Sequence, residues 1–185
     1  MKFSKKTEYA LRAMIDLGIA REVGRPLLQL SELADSERLP AKFLEQILKE
    51  LKQGGLVLGL RGKFGGYQLA EPAARIPVGR IVRHMSGPLA PIACVSQTAY
   101  EKCSCPDEAH CGLRMLMLDV RNAITGILDR YTVADVVEVT LCKMRRNGVP
   151  LPFSDRNART RARAQRGRAS TTDTIIRELL SDYSI

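Results

Sequence analysis

The feature that most constrains the fold is the stretch LVLGLRGKFGGYQLA at residues 56–70. Two short apolar segments, Leu56 to Leu60 and Tyr67 to Ala70, flank a turn that is rich in glycine and basic residues. This pattern predicts a β-hairpin, and Arg61 and Lys63 lie in its loop.

Three helices are predicted before the hairpin. In residues 5–20 apolar side chains recur at steps of three and four, which gives one helical face. Ser31 is positioned to cap a short second helix. A third helix is predicted from Pro40 to the Gly54-Gly55 pair. Three helices followed by a hairpin with a basic loop predict a mainly α winged helix-turn-helix domain, assigned to residues 1–75.

A second region is predicted over residues 76–144. PVGRIVRHM predicts a short helix, and the cysteine-containing segment that follows predicts an irregular loop. From Leu113 to Tyr131 apolar residues recur at helical spacing, and Thr132 is positioned to cap a short closing helix. The long helix is too apolar to stand alone. It can pack on the amino-terminal domain or on its equivalent in a second chain, and we favour the second arrangement, a homodimer.

Charge is unevenly distributed along the chain. The formal net charge is +9, and residues 145–185 hold nine arginines against four acids. This composition predicts a disordered, Arg-rich tail and a polyanionic partner. No stretch approaches the roughly 18 apolar residues of a membrane span, and charges interrupt the start of the chain where a secretory signal would be apolar. We therefore expect a cytoplasmic protein.

The third helix is the predicted reading surface, because the second helix of a helix-turn-helix enters the major groove of double-stranded DNA. Lys42 can reach guanine or phosphate, and Gln46, four residues on, can pair with adenine. Glu45 would accept from cytosine or repel DNA without a suitable donor. Its expected contribution is therefore selectivity rather than affinity.

Further DNA contacts are predicted outside the third helix. Arg61 is a candidate for the minor groove or backbone, and Lys63 lies beside it. Lys5 and Lys6, at the start of the first helix, are predicted to touch the DNA backbone.

Four of the five cysteines lie within 18 positions: Cys94, Cys103, Cys105 and Cys111. In a reducing compartment such a group indicates metal or redox chemistry. A structural zinc site commonly uses pairs of cysteines about two to four residues apart. No C-x2-C pair, with two residues between the cysteines, occurs in this chain. Iron–sulfur clusters tolerate irregular spacing. Zinc and a reversible disulfide remain alternatives.

The chain also resembles a known family. Residues 1 to about 140 resemble the Rrf2 family of bacterial winged-helix repressors, which includes IscR, NsrR and RirA. The resemblance rests on the motifs KFSKKTEYALRAM, LPAKFLEQILKELKQGGLV, RGKFGGYQLA and PVGRIVRHM, and on the cysteine loop before a long helix. It implies a homodimeric transcriptional regulator that binds an operator and responds to iron, redox state or nitric oxide through an iron–sulfur cluster.

The resemblance also implies a ligand set. Cys94, Cys105 and Cys111 match the three cysteines of cluster-binding members, with Cys103 as a spare or substitute. Glu8 matches a carboxylate that some members contribute from the partner subunit. The implied cluster is 2Fe–2S, with 4Fe–4S as the alternative.

Two alternative hypotheses concern the same cysteines. A DNA-binding thiol switch or zinc regulator would use the same loop without a cluster. An enzyme or cluster carrier would need a nucleophile and base, but the chain has two histidines and no phosphate-binding glycine motif. We therefore expect no enzymatic activity, small-molecule substrate or membrane partner.

Overall fold

The computed structural model describes residues 3–62 and 64–154. Six helices and one hairpin follow in the described chain: α1 Lys5–Glu22, α2 Leu30–Glu37, α3 Ala41–Gln53, β1 Val57–Leu60, β2 Gly66–Leu69, α4 Val78–Ser86, α5 Gly112–Arg130 and α6 Val133–Arg146. Short 3-10 turns lie at residues 73–75 and 93–95. This order of elements confirms the mainly α winged helix-turn-helix fold.

Helix α1 is the centre of the core. It packs against α3, α4, α6 and β2 and buries side chains on several of its faces. Helix α6 crosses it at Gly18, where a Cβ atom would lie 2.6 Å from Cγ2 of Val137. Val133, Val137 and Leu141 of α6 therefore share one hydrophobic core with the amino-terminal helices.

The helix-turn-helix differs slightly from the sequence prediction at its first helix. Helix α2 begins at Leu30 rather than after Ser31, and the Glu32 carboxylate accepts from the Gln29 N–H at 2.9 Å. A carboxylate there also suits the positive end of the helix dipole. Helix α3 begins at Ala41, one residue after the predicted start at Pro40, and ends at Gln53, directly before the Gly54-Gly55 pair that was predicted to stop it.

The hairpin, residues 57–69, is hereafter called the wing. Its strands pair antiparallel, with Val57 opposite Leu69 and Leu60 opposite Gly66. Tyr67 also exchanges two backbone hydrogen bonds with Leu28, at 2.8 and 3.0 Å. The wing is thus attached to the chain just before α2.

The two carboxyl-terminal helices, α5 and α6, differ in how deeply they are buried. No residue of α5 is buried within the described part of this subunit, whereas Val133, Val137 and Leu141 of α6 are buried. Helix α6 is longer than the short closing helix predicted after Thr132. Arg145 and Arg146 lie in the last turn of α6, where positive charge interacts favourably with the negative end of the helix dipole. Phe153 packs on the core, and the predicted tail beyond residue 154 lies outside the described residues. No helix within residues 3–62 or 64–154 is long and apolar enough to cross a membrane.

Candidate functional site: a basic groove and a thiol loop

A groove of about 690 Å³ separates α3 from the wing, and we call it the reading groove. Its α3 wall is polar and mostly basic, and its wing wall is formed by both strands. The lining residues are Lys42, Glu45, Gln46, Lys49, Lys52, Gly59, Leu60, Arg61, Gly66 and Tyr67.

Four of the predicted DNA contacts meet in this groove: Lys42, Glu45, Gln46 and Arg61. Lys63 lies outside the described residues. The structure adds Lys49 and Lys52, which the sequence reading did not single out. The signal was present, because Lys49 follows Gln46 by three residues and so belongs to the same helical face.

Glu45 faces the wing across the groove. Burial raises the pKa of the Tyr67 phenol, and the negative charge of Glu45 raises it further. A carboxylate in this position meets DNA only where the duplex offers a donor, since phosphate repels it. This placement agrees with the selective contribution expected for Glu45.

The two α1 lysines are engaged within the subunit. Lys6 forms an ion pair with Glu50 of α3. Lys5 donates to the Glu8 carboxylate at 2.8 Å, and this hydrogen bond holds the Glu8 pKa below its ordinary value. A phosphate contact by either lysine would therefore compete with an existing carboxylate partner.

Residues 87–111 form the thiol loop. Cys94 lies buried in the 3-10 turn at residues 93–95, and the Arg121 guanidinium of α5 donates to the Val95 carbonyl at 2.6 Å. At the other end, Cys111 caps α5, where its Sγ accepts from the Arg114 N–H at 3.4 Å. Both ends of the loop are thus fixed to α5.

A polar clamp holds the middle of the thiol loop. The Tyr100 hydroxyl lies 2.9 and 3.0 Å from the two carboxylate oxygens of Glu108. The same carboxylate lies 3.1 Å from Nε of Arg114, in the first turn of α5. Sequence reading missed this clamp, because no local spacing links Tyr100 to Arg114.

Neighbouring thiols of the loop influence one another. Cys94 interacts with Cys103, Cys103 hydrogen bonds with Cys105, and Cys105 interacts with Cys111. The hydrogen bond from Cys105 lowers the pKa of Cys103 and, together with burial and neighbouring charge, raises that of Cys105 to about 11. Burial and the charge of Cys103 raise the pKa of Cys94.

This donor set has the chemistry for a soft metal or a cluster, because thiolates ligate iron–sulfur clusters and zinc. The five cysteines are all described, and each is a free thiol. Within the described residues, however, no three His, Cys, Asp or Glu side chains converge as a metal ion would require. Glu8 is not brought to the thiols in this subunit, where its partner is Lys5.

Helix α4 connects the thiol loop region to α3. Arg83 makes two hydrogen bonds, at 2.5 and 3.1 Å, to the Asp129 carboxylate of α5. On the other side of α4, His84 Nε2 lies 2.7 Å from the Glu50 carbonyl oxygen in the last turn of α3. No local spacing in the sequence predicts this contact, because the two residues lie 34 positions apart.

Comparisons with known proteins identify the relatives of this arrangement. The family model described as Rrf2, iron-dependent transcriptional regulator, matches residues 3–139. An rrf2-like HTH-type transcriptional regulator of Rhodobacter capsulatus is 35% identical over 136 residues, which are 72% of this chain and 91% of that protein.

Two solved structures share the fold. CymR, the global cysteine regulator of Bacillus subtilis, superposes with a TM-score of 0.62 at 30% identity, over 75% of this chain and 97% of CymR. IscR of T. potens superposes with a TM-score of 0.57 at 28% identity, over 75% of this chain and 87% of IscR.

These relatives are regulators rather than enzymes, as expected for this chain. The family-model match covers well over half of the chain, and it includes the reading groove and the thiol loop. The chain belongs to the Rrf2 family of HTH-type transcriptional regulators.

Proposed function

We propose that this protein is a homodimeric, sequence-specific DNA-binding repressor whose affinity for its operator is set by an iron–sulfur cluster in the thiol loop. The observation that carries the proposal is one connected path. Arg83 of α4 holds α5, which anchors the thiol loop, while His84 of α4 holds the end of α3. A change in the loop can therefore reach the helix that lines the reading groove.

The proposed DNA contacts follow from the reading groove. Lys42, Lys49 and Lys52 give α3 a positive face toward phosphate, and Gln46 supplies an amide for a base edge. Arg61 extends the positive surface onto the wing. A dimer would place two such surfaces on half-sites about one helical turn apart.

The proposed dimer interface is the apolar face of α5. Leu113, Leu116 and Ile127 are each more than half exposed. They lie on one side of the helix, because their spacings of three and eleven residues match whole turns. A second copy of α5 would remove this face from water.

The proposed cluster ligands are Cys94, Cys105 and Cys111, with Cys103 as the substitute and Glu8 of the partner subunit as the fourth ligand. Two findings support this set. Cys105 interacts with both Cys103 and Cys111, so two of the proposed ligands are already neighbours. Glu8 is partly exposed on α1, so a partner's loop can approach it. We propose a 2Fe–2S cluster, with 4Fe–4S as the other type compatible with the thiols.

A second candidate function uses the same loop as a metal-free thiol switch. The hydrogen bonds of Cys105 with Cys103 and with Cys111 favour it, since neighbouring thiols can form disulfides without large chain movement. The oxidant would be a small peroxide or a disulfide, which takes up the two electrons released.

The experiment that separates the two is the visible spectrum and iron content of protein purified without oxygen. Cys105→Ala tests a loop thiol, and Cys142→Ala is the matched control, because Cys142 lies on α6 outside the loop. A coloured, iron-containing protein that loses iron in Cys105→Ala but not in Cys142→Ala supports the cluster. A colourless, iron-free wild type that acquires a loop disulfide with peroxide supports the switch instead.

A further inference from the structure

Phe64, at the tip of the wing, is the most exposed large apolar side chain in the described residues, at 83%. The backbone around it is closely constrained. The Gly65 N–H donates to the Gly62 carbonyl at 2.9 Å, and any Cβ at Gly65 would overlap the Leu60 carbonyl oxygen. The ring is therefore carried outward by a tight turn.

The second strand of the wing is fixed to the chain just before α2. The Tyr67 N–H donates to the Leu28 carbonyl, and the Tyr67 carbonyl accepts from the Leu28 N–H. A Cβ at Gly66 would overlap the Leu28 carbonyl oxygen. Removing an exposed phenylalanine ring from water is favourable. An exposed ring on a constrained turn is accordingly suited to burial against a partner.

Charge identifies the partner as duplex DNA. Phe64 adjoins the reading groove, whose walls carry Lys42, Lys49, Lys52 and Arg61. When α3 occupies the major groove, the wing lies toward the neighbouring minor groove. Proteins that bind there combine arginine with apolar side chains that insert between base steps.

We propose that Phe64 is an apolar wedge that enters the minor groove beside each half-site and partly unstacks one base step. The proposal deepens the DNA binding proposed above and rests on it. It also assigns Phe64 a part in selectivity. Pyrimidine–purine steps such as TA and CA unstack most easily, so the wedge favours operators that carry one at this position.

The test uses duplexes of about 30 base pairs that the wild-type protein selects from a random pool, with 2-aminopurine at the steps flanking each half-site. Fluorescence of 2-aminopurine rises when its base is unstacked. Three variants are compared: Phe64→Ala removes the wedge, Phe64→Leu keeps an apolar wedge, and Arg61→Ala removes a charge from the same wing.

The wild type and Phe64→Leu are expected to raise the fluorescence at one step per half-site, whereas Phe64→Ala does not. Phe64→Ala is expected to bind at least about tenfold more weakly, with the same dependence on salt concentration, because no charge is lost. Arg61→Ala should instead reduce the salt slope by about one and keep the fluorescence change.

Wild-type affinity and fluorescence in Phe64→Ala would overturn the wedge and leave the proposed DNA binding intact. Failure of the wild type to select any sequence would instead contradict the proposed function. Thermal unfolding of each variant checks the fold; because Phe64 is exposed, its removal is expected to leave the melting temperature unchanged.

Discussion

Nε2 of His84 lies 2.7 Å from the carbonyl oxygen of Glu50 and joins α4 to the last turn of α3. Gly54 makes room for this contact, because a Cβ there would lie 2.7 Å from the imidazole ring. Arg80 of the same helix lies 3.5 Å from the Gly54 carbonyl. Helix α4 therefore holds the end of the helix whose other surface lines the reading groove.

Removal of the imidazole is expected to weaken the coupling between thiol loop and operator. In His84→Ala the ratio of operator affinities between holo and apo protein should fall toward one, while the visible spectrum stays unchanged. Fluorescence anisotropy with a labelled operator measures both affinities. His84→Gln keeps a donor and should restore part of the ratio. A wild-type ratio in His84→Ala would contradict the coupling by this contact.

Glu45 and Gln46 should affect selectivity in opposite ways. Gln46→Ala is expected to weaken operator binding by about 1–3 kcal/mol and to leave binding to random duplex nearly unchanged. Glu45→Gln removes a charge that repels phosphate, so binding to random duplex should become tighter. Competition titrations with both duplexes give the ratio, and Lys49→Ala is the control, expected to weaken both alike. Equal effects of Gln46→Ala on both duplexes would contradict base reading.

The α5 face should control oligomeric state. Leu116→Glu and Ile127→Glu place charge on the exposed apolar face and are expected to raise the dimer dissociation constant at least about a hundredfold, since each change occurs twice in the interface. Asn122→Glu is the control, because the helical repeat turns this exposed residue away from that face. Sedimentation equilibrium measures the constants. An unchanged dimer dissociation constant in Ile127→Glu would exclude this interface.

Stability is expected to depend on a buried carboxyl pair between α1 and α2. Asp16 and Glu37 are both buried, and the Arg12 guanidinium lies 2.5 Å from Glu37. Burial, reinforced by the charge of Asp16, raises the pKa of Glu37 to about 7. Burial also raises the pKa of Asp16, against the hydrogen bond from Ser36.

The native state therefore binds more protons than the unfolded chain between the ordinary value of 4.5 and about 7. The contribution to the free energy of unfolding, on the order of 3 kcal/mol, is complete below that window and is lost as the pH rises through it. Urea unfolding from pH 5 to 8 measures it. Glu37→Gln should flatten the dependence, whereas Asp35→Asn, exposed on the same helix, should not. Parallel curves for wild type and Glu37→Gln would refute the assignment.

The winged domain was predictable because its signals are local. The Gly54-Gly55 stop, the apolar repeat of α3 and the glycine-rich hairpin each act within a few residues, and all three appear in the structure. The basic face of α3 followed from the same periodicity, as Lys42 and Gln46 show.

Features that depend on distant residues were not predictable in the same way. The contact of His84 with Glu50 joins residues 34 positions apart, and the clamp from Tyr100 through Glu108 to Arg114 depends on the path of an irregular loop. The length of α6 was underestimated, because its basic last turn resembles the Arg-rich segment that follows it in composition.

In the proposed function, the presence or absence of a cluster in the thiol loop sets the affinity for DNA. The most direct measurement is the operator affinity of one anaerobic preparation before and after its iron is removed by a chelator, at constant salt concentration. We expect the cluster to be lost with the iron and the two forms to differ in affinity by at least tenfold, about 1.4 kcal/mol. Equal affinities of the iron-loaded and iron-free forms would contradict it.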